Sequence, residues 1–168
     1  ELFRGLEQRG IAPRGHVLHD GARGRLDVGG GLALGGEELG EPDGVIVFDP
    51  SGFEKDGKNS VGVKRQWLGR LGKVDNGQVG VYLGYASRQG HALCDVRLYL
   101  PQEWVSDRRR RRKAGVPKEI RFRTKQQLAL DMLQERGPML PHRWIAGDDE
   151  MGRSSRFRAD LRTVSEQY

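Results

Sequence analysis

Two alternating stretches set one loop apart, "QVGVYLGYA" (Gln78 to Ala86) and "HALCDVRLYL" (His91 to Leu100), commit this chain to a β-sheet. Side chains of a strand point alternately to its two faces, so this pattern gives each strand a core face and an outer face. "SRQG" between them supplies a four-residue hairpin loop. Upstream, Val45 to Phe48 is apolar without alternation, the pattern of a strand buried on both faces. That run stops on Asp49, followed by Pro50, Ser51 and Gly52, and turn chemistry alone would account for the composition. Further on, "TKQQLALDMLQERG" sets Leu128, Met132 and Leu133 on one helical face, between Thr124 as N-cap and Gly137 as stop. "HRWIAGDD" reads as a short buried strand, and "SSRFRADLRTVSEQ" as a second helix capped by a serine.

The order strand, strand, strand, helix, strand, helix predicts an α/β fold with a mixed sheet. The first three strands form an antiparallel meander, and the fourth lies parallel to one of them after a helical crossover. If the fourth strand neighbours the first, their carboxyl ends meet. Asp49, ending the first strand, would then face an acid ending the fourth, with Asp148, Asp149 and Glu150 all open as that second carboxylate. Such a pair suits Mg²⁺, a hard cation that keeps several waters and is held by one or two carboxylates plus substrate phosphates. Two such ions ~4 Å apart activate a water and stabilise the leaving oxygen of a phosphodiester.

Residues 1–40 hold 11 of the 25 glycines, including Gly29, Gly30 and Gly31, and show no sustained periodicity. Residues 1–38 are therefore expected to carry little packed structure, and residues 39–168 to form one folded unit. No segment approaches the ~18 apolar residues of a membrane span, and the N-terminus lacks a basic-then-apolar signal. The single Cys94 allows no internal disulfide, which favours a reducing, cytoplasmic setting.

Charge narrows the partner. The 29 Lys and Arg against 23 Asp and Glu give a formal charge of +6, which points to a polyanion. Ten bases (Arg108, Arg109, Arg110, Arg111, Arg112, Lys113, Lys118, Arg121, Arg123 and Lys125) face one acid, Glu119, in the segment from Arg108 to Lys125. This segment is expected to be a mobile run that contacts DNA phosphates without reading sequence, the bland alternative being a solvated loop. Lys55, Lys58, Lys64 and Arg65 lie close enough to Asp49 in sequence to hold phosphates beside a metal.

Three other motifs compete. "GFEKDGKN" (Gly52 to Asn59) imitates a phosphate-binding Gly-x-x-x-x-Gly-Lys loop, but Asn59 stands where Ser or Thr would hold Mg²⁺, and "VGV" at 61–63 opens no helix. His16, His19 and Asp20 lack a second ligand pair at zinc spacing. Trp67, Trp104 and Trp144 could stack on bases, but aromatics beside apolar neighbours more often pack in a core, and Trp144 is expected there.

Four stretches carry a resemblance: "LGEPDGVIVFDPSGFEKDGKNSVGVKRQWLGRLGKVDNGQVGVYLGYAS", "RLYLPQEW", "RRKAGVPKEIRFRTK" and "GDDEMGRSSRFR". Over residues 39–168 the chain resembles bacterial insertion-sequence transposases, DDE-superfamily endonucleases with a ribonuclease-H-like core. The resemblance implies that Asp49, in Asp-x-Ser/Thr-Gly-Phe, is the first catalytic carboxylate. It implies that Asp148, the first acid after the glycine in Gly-Asp-x-x-x-Gly, is the second. Mg²⁺ or Mn²⁺ as cofactor, transposon ends and target DNA as partners, a homodimer of the full-length parent, and a place on the bacterial nucleoid follow from the same resemblance. Met151 stands where many relatives carry an aromatic. The family's third carboxylate, a downstream Glu, has no counterpart before Tyr168, and residues 1–38 do not resemble the family's N-terminal region. The expectation is a fragment that is incomplete at its C-terminus, its sheet lacking a fifth strand. In the rival reading the chain is a non-catalytic nucleic-acid-binding remnant.

Overall fold

The computed structural model describes residues 18–20, 25–27 and 38–168. Six strands come first: β1 (Leu18–Asp20), β2 (Arg25–Asp27), β3 (Val45–Glu54), β4 (Lys64–Leu68), β5 (Lys73–Ser87) and β6 (Gly90–Leu98). They are followed by α1 (Gln102–Ser106), α2 (Arg108–Lys113), α3 (Lys125–Arg136), β7 (Trp144–Gly147), α4 (Asp149–Gly152) and α5 (Ser155–Thr163). The sheet runs β1-β2-β6-β5-β3-β7, with β4 pairing β5 off this path. β3, β5 and β6 form the antiparallel meander, and β7 lies parallel to β3 after the α3 crossover. This is the mixed α/β arrangement that the element order predicts, and it agrees with the ribonuclease-H-like core that the resemblance implies.

One face of the meander makes the core. Ile46 pairs with Tyr85 and Phe48 with Leu83 across β3 and β5, and all four are fully buried. Against them pack Ala129, Met132 and Leu133 of α3 and Phe157 and Leu161 of α5. The Phe48 and Phe157 rings meet edge to face, 6.5 Å apart. Each large side chain so buried contributes about 1.5–3 kcal/mol, and together they fix where the helices sit on the sheet. Local chemistry sets the helix starts. Thr124 accepts from Gln127 N–H while the Gln127 side chain accepts from Thr124 N–H, and Ser154 accepts from Phe157 N–H.

The Tyr85 hydroxyl ties together the segments that lead into β3 and β7. It donates to Pro141 O at 2.6 Å and accepts from Glu41 N–H at 2.9 Å. Gly44 makes this possible, because a Cβ there would overlap the hydroxyl. The two parallel strands are thereby held in register by a buried tyrosine.

Several expectations are corrected. β3 does not stop at Asp49 but continues to Glu54 in register with β5, because Ser51 and Phe53 keep the extended pairing. β5 starts five residues earlier than Gln78, which gives β4 a partner that the alternation pattern had not revealed. The hairpin loop is two residues, Arg88 and Gln89, since Ser87 and Gly90 already pair. β7 is not a buried strand: it pairs on one side with β3, and apart from Ile145 its residues are exposed. Trp144 is 42% exposed and so lies outside the core. The arginine run is a helix rather than a loop. Gly52, Phe53 and Glu54 belong to β3, and the residues after them lead to a strand, so the phosphate-loop motif has no helix to open. Within the first 38 residues the structure places β1 and β2, the latter pairing β6 through Arg25↔Arg97 and Leu26↔Val96. The rest of that expectation, the His16, His19 and Asp20 side chains included, lies outside the described residues.

Candidate active site

The last parallel pair between β3 and β7 is Phe48↔Gly147. Asp49 and Asp148 are each the next residue, and neighbouring strands lie ~4.8 Å apart, so register sets the two residues side by side, near enough for the charge of Asp148 to act on Asp49. From that point the chains diverge. β3 continues as a strand, whereas Asp148 turns into α4 and caps it, its Oδ1 accepting from Met151 N–H at 3.0 Å. The turn is tight: a Cβ on Gly147 would come 2.9 Å from Met151 Cβ. Met151, fully buried, anchors α4 against the core.

The neighbouring acids are drawn elsewhere. Glu150 accepts both bonds from Lys125 Nζ, at 2.6 and 2.8 Å, and Asp149 pairs with Arg153 at 2.5 Å. Of the three acids that end the fourth strand, Asp148 is the one left beside Asp49.

Burial and, after it, the charge of Asp148 hold the Asp49 carboxyl above its ordinary 3.8. Opposite Asp49 on β5 stands Tyr82, whose hydroxyl is pushed up to about 12 by burial and by the Asp49 charge. The phenol is therefore neutral at physiological pH. The half-buried Asp49 beside the exposed Asp148 gives two hard oxygen donors whose mutual repulsion a divalent cation relieves, and in this the pair fits Mg²⁺ or Mn²⁺. Among the described residues no group of three or more His, Cys, Asp or Glu is placed to hold a metal ion.

The basic candidates fall into two groups. Lys55 and Lys58 are exposed in the loop after β3, and Lys64 and Arg65 are exposed on β4. Lys64 pairs with Glu103, and Arg65 donates to Val74 O at 3.3 Å. Arg108, Arg109, Arg112 and Lys113 are exposed on α2, which begins with Asp107 accepting from Arg110 N–H at 2.8 Å. Arg110 and Arg111 turn inward. The Arg110 guanidinium lies 3.7 Å over the Trp104 ring and donates to Lys58 O at 2.7 Å. Arg111 donates to Val105 O, Pro117 O and Ile120 O at 3.3, 2.6 and 2.9 Å. Arg121 donates to Lys118 O at 2.5 Å, Arg123 pairs with Asp131 at 3.3 Å, and Lys125 is held by Glu150.

A testable split follows. Replacing Arg108, Arg109, Arg112 and Lys113 with Ala should flatten the slope of log DNA affinity against log salt by about 0.9 for each phosphate no longer neutralised. Fluorescence anisotropy across a salt series measures it, and an unchanged slope would make α2 a solvated face only.

Sequence reasoning missed β4 and the inward turn of Arg110 and Arg111. For β4 no alternation existed, since "KRQWL" has its two apolar residues adjacent and is held extended by its pairing with β5. For the arginines no signal existed either, because six adjacent bases look alike until a buried tryptophan is placed beside one of them.

The sheet order and crossover are those of a ribonuclease-H-like fold. The family model of DDE superfamily endonucleases matches residues 34–168, and the chain belongs to that family. Comparison with curated proteins and with solved structures gave no match.

Proposed function

We propose that this chain is the core of a bacterial insertion-sequence transposase that cuts DNA at transposon ends and joins the freed 3′-hydroxyl to a target. The observation that supports this reading is the register Phe48↔Gly147, which sets Asp49 beside Asp148 in a chain of the DDE family. Asp49 and Asp148 would hold Mg²⁺ or Mn²⁺, which when bound supplies electrostatic stabilisation for charge developing on the phosphate. The chain's own residues do the rest. The α4 cap fixes the Asp148 carboxylate in direction. The neutral Tyr82 keeps a second charge away from Asp49. Lys55, Lys58, Lys64 and Arg65 line the approach for the backbone phosphates, with Arg108, Arg109, Arg112, Lys113, Arg121, Arg123 and Lys125 extending that basic surface. We place this work on the bacterial nucleoid, in the cytoplasm, with a homodimer acting on both ends. Among the described residues no helix is long and apolar enough to cross a membrane.

The second reading, a nucleic-acid-binding remnant without catalysis, draws on the absence, among the described residues, of a group of three such side chains placed to hold a metal ion. Plasmid nicking in Mn²⁺ separates the two. Residues 1–168 alone are expected to bind the cation weakly and DNA by charge, with no transposition and little or no cleavage, since two carboxylates hold one ion better than a pair. Nicking abolished by Asp49→Asn would show that another acid of this chain completes the site. DNA binding with no response to Mn²⁺ would favour the remnant, and nicking indifferent to Asp49→Asn and Asp148→Asn would overturn the site.

A further inference from the structure

Between β4 and the first turn of α3 lies a cavity of about 380 Å³. Its walls include Lys64, Arg65 and Trp67 of β4, Tyr99 just after β6, and Lys125 and Glu150. Glu150 is two residues beyond Asp148 in the chain, and its carboxylate is turned onto Lys125 in the cavity wall.

The lining is unusual in two respects. Trp67 is 58% exposed, although the buried Trp104 shows what an indole gains in this fold by packing and by an N–H bond to Val63 O. Three cations meet one acid in the wall: Lys125 bonds Glu150 and lies 5.7 Å from the Tyr99 ring centroid, Lys64 pairs at the exposed surface with Glu103, and Arg65 donates to the neutral Val74 O. An exposed aromatic face beside ammonium and guanidinium groups matches one ligand chemistry, a flat π-system carrying a phosphate. The volume falls at the lower end of the ~300–1,000 Å³ of small-molecule sites, room for one such unit and not for a strand. A base inside a duplex is stacked on both faces and has none to offer, so the unit must be unpaired.

We propose that this cavity takes one unpaired nucleotide of the DNA substrate, its base stacked on Trp67 and its phosphate among Lys64, Arg65 and Lys125. The inference rests on the reading of the chain as a nuclease acting on DNA, and it adds a site for one unpaired nucleotide of that substrate. Trp67 is a positioning residue in this scheme. It holds the strand by stacking and takes no part in bond breaking.

The test measures binding by the full 168-residue chain of a short single-stranded oligonucleotide and of a blunt duplex of equal length. Trp67→Ala should weaken the single-stranded probe about tenfold, as loss of one base stack does, and leave the duplex within about twofold. Trp67→Phe, which keeps an aromatic face, should restore most of the loss. Equal losses for both probes, or none for the single strand, overturn the pocket while leaving the nuclease reading intact. A chain that binds neither probe overturns both.

Discussion

Asp49→Asn should raise the melting temperature of the metal-free chain and at the same time abolish its stabilisation by Mn²⁺. The first effect follows from the raised Asp49 pKa, caused by burial and by Asp148. A carboxyl whose folded pKa lies above its unfolded value contributes stability that is full below the unfolded value near 3.8 and is lost as pH rises through the folded one. At neutral pH the native chain therefore holds Asp49 ionised at a cost, which Asn does not incur. The second effect reverses the first. A cation at ~100 times its dissociation constant stabilises the fold by about 2.7 kcal/mol. At about 2–4 °C per kcal/mol for a chain of this size, that is a rise of about 5–11 °C in the native chain and none in the variant. Asp148→Asn should lose the metal response with the fold intact, because Asn caps a helix about as well as Asp. Scanning fluorimetry at pH 7 with and without Mn²⁺ reads all three chains. A lower metal-free melting temperature for Asp49→Asn, or an equal Mn²⁺ response in all three, would remove the pair as a cation site.

The chemistry was legible where it depends on strand order and illegible where it depends on what packs against what. The order of elements brought Asp49 to the end of the strand that carries Asp148, Asp149 and Glu150 only if the fourth strand neighbours the first, and it left all three acids open. The resemblance alone picked Asp148, and the parallel pairing of β3 with β7 supplies the neighbourhood. Where β3 ends could not be read. Asp-Pro-Ser-Gly is turn composition, yet long-range pairing with Tyr82, Val81, Gly80 and Val79 keeps those four residues extended. Local propensity lost to a partner strand far along the chain, and the early start of β5 and the existence of β4 escaped for the same reason. Trp144 misled in the opposite sense, since apolar neighbours argue for burial only when something covers the strand, and β7 has β3 on one side alone among the named strands. The three acids at 148–150 were separated by their partners: Lys125 of α3 for Glu150, Arg153 four residues on for Asp149, and the local α4 cap for Asp148.

Trp104→Ala should be the most damaging substitution outside the main core, costing about 3–5 kcal/mol. Its indole is 1% exposed, donates to Val63 O at 2.8 Å, and carries the Arg110 guanidinium 3.7 Å above the ring. Arg110 in turn reaches Lys58 O, so the pair clamps the loop of residues 55–63 against α1 and α2. That loop leads into β4, and β4 carries Lys64, Arg65 and Trp67. Loss of the indole leaves a cavity, releases the guanidinium from its aromatic face, and frees the basic wall of the proposed nucleotide pocket to move. The melting temperature should fall by about 6–20 °C. Arg110→Ala should fall part of that way, because it removes the cation–π interaction and the bond to Lys58 O while the indole stays buried. Arg109→Ala, one position away and exposed, should stay within about 0.5 kcal/mol of the native chain. Thermal melts of the three variants decide the matter. If Arg109→Ala and Arg110→Ala melt alike, the arginines of α2 are equivalent and the clamp does not exist; if they differ as argued, the run is divided between residues that hold the fold and residues left to meet the phosphates.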